Sequence, residues 1–176
     1  PMSRGLGDVY KRQVINECKK ISKEISKEDI ETRRDYRSLN FVTIDGSNAK
    51  DFDDAVYAEE LSDGFRLYVA IADVSAYVTK DSQLDKEAFS RATSVYFEKK
   101  VIPMLPELIS NQLCSLRPNE DKLVLTCEIY LDNRGEIKDF EFFNSVICSK
   151  NRLTYDEVEK FYQKGQTALL LSLIHI

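Results

Sequence analysis

The sequence contains one histidine, His175, and no tryptophan, and its four cysteines form no C-x-x-C pair. The usual zinc sites need several cysteines or histidines at short spacings, so a structural zinc site is excluded. Ser-His-Asp triads and Cys-His pairs both need a histidine base, and the single histidine lies in the last two residues of the chain. Any catalysis would therefore rely on carboxylates, tyrosines, lysines or a metal ion.

Long apolar runs are also absent. No stretch approaches the ~20 residues of a membrane-spanning helix, and no apolar segment of about 7–15 residues near the start resembles a secretory signal. We therefore expect no membrane association and a reducing cytoplasm in which all four thiols stay free. A basic excess is lacking too, because 25 Lys and Arg residues face 30 Asp and Glu residues, for a net charge of -5. No global positive field would draw the chain onto nucleic acid.

The length of 176 residues and the hydrophobic content of 43% are typical of one soluble folded unit. The two ends lack the periodicity of the middle and resemble translated adaptor sequence. We interpret residues 1–13 as a non-native tail and residues 165–176 as a partly non-native tail. Residues 14–40 are rich in charge and are expected to form a lead-in with a short helix. The folded part is expected to span residues 41–164.

Patterns of apolar and turn-forming residues predict an α+β fold with a largely antiparallel or mixed β-sheet, hairpins and flanking helices. Ser26 and Asp29 resemble a helix cap and predict a short helix that runs through residues 31–34. Ser82 is expected to cap an amphipathic helix whose apolar face includes Phe89. The other predicted elements are a strand at 41–44, hairpins at 55–59/65–72 and 122–131/136–146, an extended segment at 102–106, and helices at 107–113 and 153–162. The second hairpin places Gly135 where a positive φ is expected.

Four aspartates follow the first predicted strand within ten residues: Asp45, Asp51, Asp53 and Asp54. Carboxylates held close together raise one another's pKa, so a divalent cation is their natural partner. Aspartate oxygens favour Mg²⁺, which commonly completes its coordination with water and phosphate oxygen, and this indicates phosphoryl transfer. A solvated turn would explain the same residues without chemistry. A calcium loop of the EF-hand type does not fit, because counting from Asp51 puts Val56 at the required glycine position.

Six sequence blocks in one order extend this hypothesis. They are Thr43–Ala55 (TIDGSNAKDFDDA), Val69–Val74 (VAIADV), Thr93–Phe97 (TSVYF), Val101–Pro106 (VIPMLP), Leu113–Leu116 (LCSL) and Arg152–Tyr155 (RLTY). Together they resemble the amino-terminal half of the RNB catalytic domain of the ribonuclease II and ribonuclease R family, with the ribonuclease R branch closer. The family consists of processive 3′-to-5′ exoribonucleases. The resemblance thus implies hydrolysis of single-stranded RNA from its 3′ end to 5′-nucleoside monophosphates, with no obligate protein partner.

The resemblance also implies roles for individual residues. Asp45, Asp51, Asp53 and Asp54 fall on the four active-site aspartates that bind Mg²⁺. Among them, Asp45 and Asp54 match metal ligands, and Asp53 matches the carboxylate whose loss should harm cleavage most. Tyr96 and Tyr155 fall on tyrosines that contact the 3′ end of the RNA. The Leu113–Leu116 block is expected to shape a wall beside the site, without chemistry of its own.

The sequence departs from the family pattern at several points. Glu98 stands where the family usually has proline. The second half of the catalytic domain, with an arginine and an acidic residue that complete the active site, is not found, and neither are the flanking cold-shock and S1 barrels. We therefore expect little or no nuclease activity from these residues alone, and exposed apolar surface where the missing half would lie.

Two other functions compete with the exoribonuclease. An aspartyl phosphatase would also place closely spaced aspartates after a strand, but it would need a βαβ architecture, against which the predicted hairpins argue. A non-catalytic binding module would keep the fold and use the acidic segment only structurally. Loss of one of the family aspartates would favour that module, and all four are present.

Overall fold

The computed structural model describes residues 10–97 and 100–163. Most of the two predicted tails, residues 1–9 and 165–176, lies outside the described residues. The chain divides into two compact units, one of Pro1–Lys23 with Val74–Leu113 and one of Glu24–Asp73 with Cys114–Ile176. The first unit carries the small elements of the middle of the chain, and the second carries the main sheet and the four aspartates.

Four α-helices, a short 3-10 helix at Val74–Ala76, a π-helical turn and nine strands are present in the described residues. The α-helices are α1 (Arg12–Cys18), α2 (Lys27–Glu31), α3 (Gln83–Arg91) and α4 (Tyr155–Gln163). The strands are β1 (Arg34–Asp35), β2 (Val42–Asp45), β3 (Asp54–Leu61), β4 (Gly64–Ala72), β5 (Val95–Phe97), β6 (Lys100–Ile102), β7 (Asp121–Asp132), β8 (Ile137–Cys148) and β9 (Asn151–Thr154). No helix in this described part is long and apolar enough to cross a membrane.

The second unit is built on a seven-stranded sheet in the order β1-β8-β7-β4-β3-β2-β9. The central pairs are antiparallel, while β1 runs parallel to β8 and β9 runs parallel to β2. This arrangement confirms the predicted α+β class with a largely antiparallel, mixed sheet. Strands β5 and β6 form a separate antiparallel pair in the first unit, and the sequence patterns did not predict them.

Both predicted hairpins are present. β3 and β4 are joined through Ser62 and Asp63, and a Cβ on the adjoining Gly64 would collide with the carbonyl oxygen of Leu131 on β7. In the turn between β7 and β8, Gly135 has a φ of 81°, as expected, and its N–H donates to the carbonyl oxygen of Asp132 at 2.9 Å. These turns form where predicted because their signals are local.

The helix of the lead-in is shorter than predicted. Ser26 caps it as expected, since its Oγ accepts the N–H of Asp29 at 3.0 Å and the Asp29 carboxylate accepts the N–H of Ser26 at 3.3 Å. The helix ends at Glu31, however, and does not reach Arg34. Arg34 instead begins β1, which pairs with Ser145 and Val146 at the edge of the sheet. Sheet pairing with a distant strand therefore overrides the local helical pattern.

Helix α3 lies in the first unit, where it packs against α1. Its cap was predicted correctly, because the Oγ of Ser82 accepts the N–H of Asp85 at 3.1 Å. The predicted apolar face was wrong at Phe89, which is 87% exposed while Leu84 and Ala88 are buried. At about 100° per residue, Phe89 lies some 140° around the helix from Leu84, whereas Ala88 lies only some 40° away.

The helix predicted at 107–113 is present, but most of it has an unusual pitch. The carbonyl oxygen of Pro106 accepts the N–H of Ile109 at 2.8 Å, and a single turn of π-helix follows over Ile109–Leu113. Ile109 and Leu113 are buried, so this turn anchors the end of the first unit. The prediction of an extended segment over 102–106 was wrong in part, because only Ile102 lies in a strand and the chain bends at Met104 and Leu105, between the two prolines.

The two faces of the main sheet differ. One face carries an aromatic cluster around the fully buried Phe41, whose ring centroid lies 6.0 Å from that of Tyr57 and 6.3 Å from that of Tyr68. The other face exposes large apolar side chains: Phe65, Ile71, Leu125, Ile137, Phe140 and Phe142. Exposed apolar surface of this kind was expected, and it favours association with another apolar surface.

All four cysteines are free thiols, and Cys114 is the least accessible of them to chemical reagents. It is 3% exposed, and burial raises its pKa to about 12, so its reactive thiolate is scarce at neutral pH. At pH 8 we expect iodoacetamide to modify the half-buried Cys148 in the folded protein while Cys114 stays unmodified. Peptide mass spectrometry measures both, with urea-unfolded protein as the control. Equal labelling of the two thiols in the folded protein would contradict this prediction.

Candidate functional site

The four predicted aspartates lie on one loop at an edge of the main sheet. Asp45 is the last residue of β2 and Asp54 is the first residue of β3, and the two strands are antiparallel neighbours. The loop between the two strands carries Asp51 and Asp53. It leaves the sheet where β2 ends and re-enters it beside that point, where β3 begins. An antiparallel connection thus gathers carboxylates that are up to nine positions apart.

The pKa values show that these carboxylates interact. Burial raises the pKa of Asp45 first, and the charges of Asp54 and Asp51 raise it further, while Arg152 opposes the shift. Loss of hydration likewise raises the pKa of Asp53, followed by the charges of Asp51, Asp54 and Asp45. The structure therefore brings all four predicted aspartates within electrostatic reach of one another, which costs free energy unless a cation compensates.

The residues present fit a hard divalent cation. The Oδ2 atom of Asp45 is buried and has no hydrogen-bond partner, as is typical of an oxygen reserved for a ligand. Within residues 10–97 and 100–163, no three aspartates, glutamates, cysteines or histidines lie close enough to hold an ion by themselves. Mg²⁺ commonly uses only one or two carboxylates and takes its other ligands from water and substrate phosphate, so this donor set suits it.

Tyr155 lies next to the aspartates. Strand β9 pairs in parallel with β2, with Thr154 opposite Asp45, and Tyr155 is the following residue. The start of α4 is fixed there, because Thr154 Oγ1 accepts the N–H of Glu157 at 3.3 Å and Glu157 Oε2 accepts the N–H of Thr154 at 2.7 Å. The Tyr155 ring is exposed, so it is free to stack on a ligand.

Tyr96, the other tyrosine singled out by the resemblance, lies on β5 in the first unit. Its side chain is also exposed, as are those of its strand neighbours Val95 and Phe97. Core packing therefore does not account for either tyrosine, although most aromatic side chains in a folded protein serve that purpose. A role for Tyr96 in RNA contact stays a prediction.

Two residues that hold the acidic loop were missed from the sequence. Ser115 hydrogen bonds to the loop between Lys50 and Phe52. Arg152 donates through Nη2 to the carbonyl oxygens of Gly46 at 3.0 Å and Ser47 at 2.7 Å. Both lie in blocks that carried the resemblance, LCSL and RLTY, which was the only signal for them in the sequence.

Comparison with known proteins identifies the family of the chain. The model of the RNB domain matches residues 33–171. Ribonuclease R of Acidithiobacillus ferrooxidans is 52% identical over 154 residues, which cover 88% of this chain and 35% of that protein. Ribonuclease R of Escherichia coli strain K12 is 45% identical over 159 residues, which cover 90% of this chain and 20% of that protein.

A solved structure matches as well. Mycoplasma genitalium ribonuclease R in complex with double-stranded RNA superimposes with a TM-score of 0.82 at 42% identity, over 86% of this chain and 27% of that chain. The chain thus spans about a fifth to about a third of the length of these relatives. The matched range, residues 33–171, contains all four aspartates and both tyrosines. The chain belongs to the RNB domain family, on its ribonuclease R branch.

Proposed function

We propose that this chain is the aspartate-bearing part of a Mg²⁺-dependent, processive 3′-to-5′ exoribonuclease that hydrolyses single-stranded RNA to 5′-nucleoside monophosphates. The observation that carries the proposal is the loop between β2 and β3, where burial and the neighbouring aspartate charges raise the pKa of Asp45 and of Asp53, and where the buried Oδ2 of Asp45 has no hydrogen-bond partner. Relatives named ribonuclease R and a relative solved with RNA support the choice of RNA as substrate. The cytoplasm is the proposed location.

In this proposal the four aspartates have different roles. Asp45 and Asp54, at the ends of the two strands, hold the metal, and Asp51 and Asp53 between them complete the negative site. When bound, Mg²⁺ would help to activate water for attack on the last phosphodiester and to stabilise the charge that develops there. Tyr155 offers an exposed ring beside Asp45, on which a 3′-terminal base can stack for about 1–3 kcal/mol.

The activity is proposed for the full-length protein, because the chain spans only part of its relatives. A net charge of -5 gives the chain no general attraction for RNA, so substrate affinity would have to come from other parts of that protein. We expect the 176-residue chain alone to show little or no turnover.

The test is digestion of single-stranded RNA by the full-length protein and by the chain, side by side. With a 3′ label, the full-length protein should release labelled mononucleotide at the start of the reaction. With a 5′ label, the substrate should be converted to a very short end product without a ladder of intermediates. Both reactions should stop with EDTA and resume when Mg²⁺ is restored. A parallel reaction with Ca²⁺ in place of Mg²⁺ tests whether neutralisation of the carboxylate charges by any divalent cation is sufficient for digestion.

Three results would overturn the proposal. Release of the 5′ label first would reverse the polarity, and internal fragments would indicate an endonuclease. Folded full-length protein that binds RNA but leaves it intact in Mg²⁺ would instead indicate a non-catalytic RNA-binding module.

A further inference from the structure

The acidic loop is tied to the segment that follows Leu113 by three hydrogen bonds. Ser115 Oγ accepts the N–H of Phe52 at 3.1 Å and donates to the carbonyl oxygen of Lys50 at 2.8 Å. The N–H of Leu116 donates to the carbonyl oxygen of Phe52 at 2.8 Å. Ser115 is 0% exposed, and its bond with the Phe52 N–H is fully buried, away from competing water.

These bonds act on the backbone between two of the aspartates. Phe52 separates Asp51 from Asp53, and both its N–H and its carbonyl oxygen are engaged. The Phe52 side chain is buried, whereas the neighbouring Asp53 side chain reaches solvent, although it loses enough hydration to the surrounding chain to raise its pKa. Because successive side chains of an extended chain point in opposite directions, holding Phe52 inward directs the flanking carboxylates outward.

The loop needs such a restraint because its charges repel. Carboxylates at close range disfavour the compact arrangement, and an untethered loop would relax by moving them apart. Arg152 restrains the other end of the loop through the carbonyl oxygens of Gly46 and Ser47, and its guanidinium carbon lies 5.1 Å from the centre of the Phe52 ring. Ser115 thus restrains the stretch that Arg152 does not bond.

We propose that Ser115 is a positioning residue that holds the acidic loop in the shape its carboxylates need for catalysis. The inference rests on the proposed function, in which those carboxylates are the active site. The Ser115 hydroxyl bonds the backbone of Lys50 and Phe52, so it acts through the shape of the loop. Its hydroxyl both donates and accepts here, so alanine removes two bonds at once while adding no bulk.

The size of the effect is limited by the bonds that remain. Without the hydroxyl, Leu116 still holds the Phe52 carbonyl oxygen, and the N–H of Ala72 still donates to the carbonyl oxygen of Asp53 at 2.9 Å. The loop should therefore loosen without unfolding. A displacement of about 1 Å at catalytic groups costs up to about 100-fold in rate, so we expect Ser115→Ala to lower kcat by about 10-fold to 100-fold.

The matched control is Ser145→Ala on β8. Ser145 is also 0% exposed, and its Oγ shares a hydrogen bond with Thr126 Oγ1 at 2.5 Å, remote in sequence from the acidic loop. Ser145→Ala thus removes a buried hydroxyl of the same kind as the one that Ser115→Ala removes. In the full-length protein, Ser115→Ala should lower kcat, leave KM for RNA within about twofold, and raise the Mg²⁺ concentration for half-maximal rate. Ser145→Ala should change none of the three, and Ser115→Thr, which keeps the hydroxyl, should recover most of kcat.

Hydrogen exchange gives a readout that does not depend on activity. In the unmodified protein the Phe52 amide should exchange slowly, because it donates to a buried acceptor. In Ser115→Ala its exchange should accelerate by at least about tenfold, while amides of β7 stay protected. Fast exchange of Phe52 in the unmodified protein would overturn the inference even if the variants failed to fold.

The outcomes separate this inference from the proposed function. An active full-length protein whose kcat is unchanged by Ser115→Ala overturns the positioning role alone. A fall in kcat of equal size in Ser145→Ala also overturns it, because general destabilisation would then explain both. An inactive unmodified protein overturns the proposed function, and the exchange rate of Phe52 then still decides whether Ser115 restrains the loop.

Discussion

Asp53→Asn is expected to lower the turnover of the full-length protein by about 100-fold to 1,000-fold. This is the range seen when one preorganised electrostatic group is removed from an active site. Asparagine has nearly the same shape but no charge, so the loop should keep its fold. Asp53 lies between Asp51 and Asp54, and its pKa is raised by loss of hydration and by all three other aspartates. Removing its charge weakens the field that a cation would experience.

RNA binding should persist in the same variant. Loss of one negative charge reduces repulsion of phosphate, so the Kd for single-stranded RNA should stay unchanged or fall slightly. Single-turnover digestion measures the chemical step, and fluorescence anisotropy in EDTA measures binding. The control is Asp63→Asn, which makes the same change at an exposed turn position in the hairpin of β3 and β4. If both variants digest RNA at the rate of the unmodified protein, the acidic loop has only a structural role.

Phe41→Ala is expected to destabilise the chain by about 3–5 kcal/mol, the usual cost of deleting a fully buried aromatic ring. Phe41 is 0% exposed and lies against the rings of Tyr57 and Tyr68 in the core. Single domains are stable by only about 5–15 kcal/mol, so this loss would remove a large share of the free energy of unfolding. The backbone bond from the Lys150 N–H to the Phe41 carbonyl oxygen, at 2.7 Å, does not depend on the side chain.

Urea unfolding followed by circular dichroism measures this loss. Phe89→Ala is the matched control, because it deletes the same ring from a side chain that is 87% exposed, and its effect should stay within about 0.5 kcal/mol. A similar loss in both variants would mean that the two rings are buried to a similar extent in solution, contrary to the structure.

Much of the local structure followed from the sequence, because its signals lie close together in the chain. The two hairpins form where turn residues separate alternating strands. The caps at Ser26 and Ser82 form because each hydroxyl bonds an amide three residues away. The four aspartates were likewise recognisable, since they lie within ten residues of one another and fall in a block that resembles the RNB family.

Other features had no local signal. The edge strands β1 and β9 are each held by one parallel partner, and β1 overrides a helical pattern to reach Ser145. The position of Tyr155 beside Asp45 follows from the pairing of β9 with β2. Parallel pairing of this kind joins segments that are far apart, so no short window of sequence contains it.

The candidate site shows the same division. The sequence placed Asp45, Asp51, Asp53 and Asp54 within ten residues, and the resemblance to the RNB family made them the predicted ligands of a hard cation. Only the tertiary structure decided what holds that cluster together, because Ser115 reaches Phe52 across 63 positions. A serine has no pattern of its own that distinguishes a loop restraint from any other buried hydroxyl. Its role depends on the partner that folding places beside it, and that partner is set by the packing of the whole unit.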